Sequence, residues 1–99
     1  MLNLEMNKDA DKLSIALEGR LDTTTAPQFE NTLKDALKDV SDVTLDFAKL
    51  EYISSAGLRA LLAAQTVMNK QGDMTLINVN DTIMEIFEVT GFFDILTIK

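Results

Sequence analysis

Apolar and polar residues alternate along the first part of the chain. Leu2, Leu4 and Met6 are separated by Asn3 and Glu5, and Leu13, Ile15 and Leu17 repeat the same period of two. That period puts one set of side chains on one face of a strand, so two half-buried strands are predicted. The polar stretch 7–11 between them reads as the turn of a hairpin, and Gly19 closes the second strand. The period then changes. Ala26, Phe29, Leu33, Ala36, Leu37 and Val40 recur at spacings of three and four, which predicts an amphipathic helix. Thr25 is the expected cap, with Pro27 in the first turn and Gln28 completing a capping box.

A short third strand is predicted over 43–47. It is followed by a largely buried helix from Ala56 to about Lys70, which Gly72 ends in a left-handed cap. Met74, Leu76, Ile77 and Val79 predict a fourth strand, apolar on both faces as a central strand would be. Thr82 with Glu85 is expected to cap a third helix carrying Ile83, Ile86 and Phe87. Gly91 suits its C-terminal cap, and Phe92 could fold back on its last turn. A weaker last strand is predicted over 94–98. The order β-β-α-β-α-β-α-β gives an α/β fold in one domain spanning 1–99. Its mixed sheet has four main strands plus a short edge strand and is covered by helices.

Composition narrows the chemistry more than the fold. Nine basic and sixteen acidic residues give a net charge of −7, which repels phosphate backbones and anionic lipid. Direct nucleic-acid binding is therefore not expected. With no Cys and no His, the chain has no thiol nucleophile, no imidazole base and no zinc-ligand set. It has no Walker loop and no Gly-x-Gly-x-x-Gly run. Asp22, Asp46 and Glu51 are read as surface carboxylates, so no catalytic residue, metal or cofactor is expected. No apolar run approaches the roughly 20 residues of a membrane span. The first residues carry neither the basic region nor the apolar run of a secretory signal. No membrane insertion is expected, and the expected location is the cytoplasm.

The most informative stretch is Leu50-Glu51-Tyr52-Ile53-Ser54-Ser55-Ala56-Gly57-Leu58-Arg59. Two serines precede an apolar helix, and Ser54 or Ser55 alone would serve as an N-cap worth about 1 kcal/mol. A glycine in the first helical turn costs roughly 0.5–1 kcal/mol against Ala. Gly57 therefore points to a close approach, by another backbone or by a phosphate.

Tyr-Ile-Ser-Ser-Ala-Gly-Leu-Arg-Ala-Leu resembles the signature of STAS domains, in particular bacterial anti-sigma factor antagonists. The segment Gly19-Arg20-Leu21-Asp22-Thr23-Thr24-Thr25-Ala26-Pro27 is similar to the family's second recurrent segment. Residues 43–47 and 89–93 also fit. The resemblance runs along the whole chain in the right order. It implies a non-enzymatic binding module that engages an anti-sigma factor when unphosphorylated, so that a sigma factor is released. The implied partner is an anti-sigma factor with GHKL-type serine kinase activity, which supplies ATP and Mg²⁺, and a phosphatase reverses the modification. The family's phosphoacceptor lies two positions before the glycine, which is Ser55, with Ser54 as second choice. The residue before the acceptor is often Asp and here is Ser54.

Asp22 matches the acidic residue of the loop beside the acceptor. The expected partner-binding surface comprises Asp22, Thr23, Thr24, Thr25, Ser54, Ser55, Gly57, Leu58 and Arg59. A phosphate at the positive end of the second helix would be accommodated by the fold, so the switch should act at the interface. The alternative implied role is a STAS adaptor in another assembly, such as a lipid-transport complex or a stress-signalling scaffold.

Overall fold

Alternation and helical periodicity build the expected architecture, described for residues 2–99 in a computed structural model. The elements are β1 (Leu2–Asp9), β2 (Lys12–Leu21), α1 (Ala26–Ala36), β3 (Asp42–Ile53) and α2 (Ser55–Gln71). They continue with β4 (Asp73–Ile77), α3 (Asp81–Thr90), a 3₁₀ turn (Phe92–Asp94) and β5 (Thr97–Ile98). The five strands lie in the sheet in chain order, β1-β2-β3-β4-β5. The β1–β2 hairpin is antiparallel, and the later pairs are parallel because a helix or crossover returns the chain each time.

One face of the sheet carries the core. Leu13, Ile15 and Leu17 of β2 lie beside Val43, Leu45 and Phe47 of β3 and Met74 and Leu76 of β4, all buried. The helices press their apolar stripes onto this face, with Phe29 and Leu33 from α1 and Leu61 and Met68 from α2. Phe87 of α3 meets Phe47 at 6.4 Å between ring centroids. The opposite face carries Lys12, Ser14, Ala16 and Glu18, all exposed. The helices therefore cover one side only.

Several boundaries differ from expectation. The hairpin turn is tighter than 7–11, because β1 stays paired until Asp9 faces Lys12. Gly19 does not close β2, which runs on to Leu21. The third strand is longer than 43–47, with twelve residues rather than five. At two places β3 inserts an extra residue against β2, between the pairs Ala16–Asp46 and Glu18–Lys49 and between Gly19–Leu50 and Arg20–Tyr52. Each bulge breaks the period of two and re-aims Leu50 and Ile53 into the core.

β4 buries Met74 and Leu76 only. Thr75 and Ile77 are half-buried towards the uncovered side, and Asn78 turns the chain with φ 57° before Val79 can join. α3 is capped by Asn80, whose Oδ1 accepts the Ile83 N–H at 2.8 Å, instead of by Thr82 with Glu85. The Asn80 side-chain amide also donates to the Leu50 carbonyl at 3.0 Å, tying this cap to β3. Gly91 adopts the expected left-handed cap. After it the Gly91 and Phe92 carbonyls accept N–H groups from Asp94, Ile95 and Leu96, so the last strand is only Thr97–Ile98. Gly72 ends α2 with φ 163° and ψ −126°, not in the left-handed conformation expected of it. A Cβ there would lie 1.9 Å from the Ser41 carbonyl oxygen, so close packing selects the glycine.

Candidate functional site

β2 delivers Asp22 to the end of the sheet, where the chain reverses into α1. The carboxylate Oδ1 of Asp22 accepts the Thr24 N–H at 3.0 Å, the Thr24 hydroxyl at 2.8 Å and the Thr25 N–H at 3.2 Å. The Thr25 hydroxyl donates to the Arg20 carbonyl at 2.8 Å and accepts the Asp22 N–H at 2.9 Å. The expected Thr25–Gln28 capping box is therefore absent. Thr25 has helical backbone angles, and its hydroxyl is turned back towards β2. The Asp22 carbonyl instead accepts the first helical N–H, from Ala26, at 2.8 Å. Thr23 and Thr24 remain exposed, whereas Thr25 is buried beneath them.

The Thr24 hydroxyl, followed by the Thr25 and Thr24 N–H groups and the Thr25 hydroxyl, holds the Asp22 carboxyl below its ordinary value, against the opposing effect of burial. Folding thus binds the ionised form more strongly. The resulting stability is present above the unfolded pKa of about 3.9 and is lost as pH falls through the folded value. Asp11 is lowered likewise, chiefly by the Ser41 hydroxyl. Asp22→Ala is expected to flatten the acid limb of stability between about pH 5 and the folded pKa, on the pattern of a depressed carboxyl. Urea midpoints across that range check this; an unchanged limb would show that the Asp22 network contributes nothing.

β3 delivers the two serines beside this loop. The Ser54 N–H donates to the Leu21 carbonyl at 2.9 Å, so Ser54 is tied to the residue before Asp22. Ser54 is extended, and its Oγ accepts the Gly57 N–H at 3.3 Å, which makes it the N-cap of α2. Ser55 is the first helical residue. It is exposed, and its hydroxyl makes no hydrogen bond among the described residues. One serine is structural and the other is free. Ser54→Ala is accordingly expected to cost about 1 kcal/mol and Ser55→Ala less than about 0.5 kcal/mol, measured by urea denaturation. Equal costs would contradict this division.

Gly57 is needed by the fold itself. A Cβ there would lie 2.8 Å from Leu21 Cγ and Ile53 Cγ1 and 2.9 Å from the Leu21 carbonyl oxygen. The approaching backbone is therefore the end of β2. Gly57 and Leu58 are buried, so these two members of the expected binding surface support it from below and offer no contact area. Thr25 is a third, for the same reason. Asp22, Thr23, Thr24, Ser54, Ser55 and Arg59 are half-buried or exposed around the start of α2.

Sequence reasoning missed Arg20 and Tyr52. They are register partners on β2 and β3, with the Arg20 guanidinium 4.6 Å from the Tyr52 ring centroid and 3.7 Å from the Asp22 carboxylate. An exposed Tyr–Arg pair beside the loop has the composition of an interface anchor. Its signal was the Arg-x-Asp spacing, which has meaning only once β2 and β3 are known to be neighbours.

Asp46 is committed locally, accepting from the Ala48 N–H at 2.9 Å and the Asn78 amide at 3.0 Å. No group of three acidic side chains that could hold a metal ion occurs among the described residues. A shallow hollow of about 550 Å³ lies on the uncovered sheet face, lined by Asn3, Ala16, Glu18, Asp46, Ala48 and Lys49 among others. None of the loop or serine residues borders it. No helix among the described residues is long and apolar enough to cross a membrane.

The family profile described as STAS domain matches residues 3–99. BtrV of Bordetella bronchiseptica, named as a candidate anti-sigma factor antagonist, is 35% identical over 99 residues, covering 98% of this chain and 85% of that protein. The fold is similar to an anti-sigma factor antagonist from Mycobacterium paratuberculosis, with a TM-score of 0.88 at 17% identity over 99% of this chain and 85% of that one. It is also similar to SpoIIAA of Bacillus in its phosphorylated form, with a TM-score of 0.76 at 19% identity over 98% and 91% of the two chains.

Proposed function

Because the chain belongs to the STAS domain family, we propose that it is an anti-sigma factor antagonist, switched by phosphate on Ser55. The unmodified domain binds an anti-sigma factor through the Asp22–Thr24 loop and the exposed start of α2, which frees a sigma factor in the cytoplasm. That anti-sigma factor is a GHKL-type serine kinase, which transfers phosphate to Ser55 and ends the binding; a phosphatase restores it. The chain itself contributes a surface and an acceptor hydroxyl and performs no catalysis.

The observation that carries this is the division of labour between adjacent serines. Ser54 spends its oxygen on the Gly57 N–H, while the Ser55 hydroxyl is exposed and uncommitted beside the Asp22 loop. Phosphate on Ser55 adds about −1.5 to −2 charge at a helix N-terminus, where negative charge is favoured. The fold can hold it, and a partner shaped to a neutral hydroxyl cannot. The test is incubation with ATP and the GHKL-type kinases of the same genome, followed by mass-spectrometric mapping. A single phosphate on Ser55 is expected. Its absence with every kinase would favour an adaptor role in another assembly.

A further inference from the structure

Ser55 and Arg59 stand four residues apart on α2, and both are exposed. One helical turn brings such side chains to about 5–6 Å between Cβ atoms. An anion followed four residues later by a cation is also the favourable order along a helix. The residues between them on the inner side, Gly57 and Leu58, are buried and uncharged. Arg59 makes no ion pair among the described residues. Arg20, the other arginine at this end of the sheet, is already held by Asp22 and by the Tyr52 ring. The Asp22 carboxylate is in turn occupied by Thr24 and Thr25.

We infer that Arg59 is the internal counter-ion of phosphorylated Ser55. Its guanidinium presents a planar fork of donors that matches phosphate oxygens, and the free arginine reaches them without breaking an existing pair. Phosphorylation then changes two charges on the docking surface. It adds a dianion at Ser55 and withdraws Arg59 from the contact it offers a partner. The inference rests on Ser55 being the modified residue.

The test needs neither kinase nor partner. Phosphoserine is placed at position 55 of the full chain by genetic code expansion, and the phosphate is titrated by ³¹P NMR. The second phosphate pKa is expected below its usual value of about 6. Arg59→Gln should raise it by roughly 0.3 of a pH unit or more, the scale of a single helical ion pair. Arg59→Lys should recover part of the shift, and Arg20→Gln should move it less than Arg59→Gln does. Circular dichroism confirms that each variant is folded. Equal pKa values in the parent and Arg59→Gln proteins, or a larger change in Arg20→Gln, would overturn the inference. Failure of Ser55 as the natural acceptor would show separately, in the kinase mapping, whatever the titration gives.

Discussion

Gly72→Ala is expected to destabilise the domain by about 3 kcal/mol or more, the upper range for overpacking a fixed site. The new methyl would lie 1.9 Å from the Ser41 carbonyl oxygen and 2.8 Å from its carbon, inside any tolerable contact. Ser41 has little room to retreat. Its N–H donates to the Asp11 carbonyl at 2.8 Å, its hydroxyl to the Asp11 carboxylate, and its carbonyl accepts the Asp73 N–H at 3.0 Å. Gly72 itself donates to the Met68 carbonyl at 2.7 Å. Relief would have to separate the end of α2 from the start of β3. For a domain this size the loss corresponds to more than about 12 °C in Tm. A thermal midpoint within a few degrees of the parent would show that this junction can yield.

Ser55→Ala is expected to abolish phosphate incorporation while leaving partner binding and stability nearly unchanged. The hydroxyl has no internal partner, so its loss leaves no buried group unsatisfied. The variant would be a permanently active antagonist. Ser55→Asp should weaken binding by about 1.4–2.8 kcal/mol, ten- to a hundredfold in Kd, because the carboxylate must be desolvated against a partner surface shaped to a neutral hydroxyl. Ser54→Ala should still accept phosphate despite its weakened cap. Calorimetric titration with the cognate anti-sigma factor and intact-mass analysis after kinase treatment report both properties. Undiminished phosphorylation of the Ser55→Ala protein would transfer the acceptor role to Ser54.

Local periodicity made the order of elements legible, because each strand or helix declares its buried face within a few residues. The end of β3 was not legible. Its bulges shift Leu50 and Ile53 out of the alternation that Val43, Leu45 and Phe47 establish, and only pairing with β2 reveals them. Helix caps were misplaced for a related reason. Thr25 and Thr82 fit capping patterns, but Asp22 and Asn80 reach the relevant N–H groups first. In the site, the serines and Asp22 could be named from the chain alone, since they lie in continuous motifs. Which serine was free, and that Tyr52 meets Arg20, depended on side-chain direction and on strands far apart in sequence.

The strands lie in the sheet in the order in which they occur in the chain. A ribosome releasing this protein would present each strand to an edge that its predecessor has just completed. No strand would have to wait for a later one and then be forced between two already in place. Sequential neighbours keep loop closures short, which favours fast assembly. The sheet can thus grow at one margin during synthesis, with the two-residue β5 arriving last on the outermost edge.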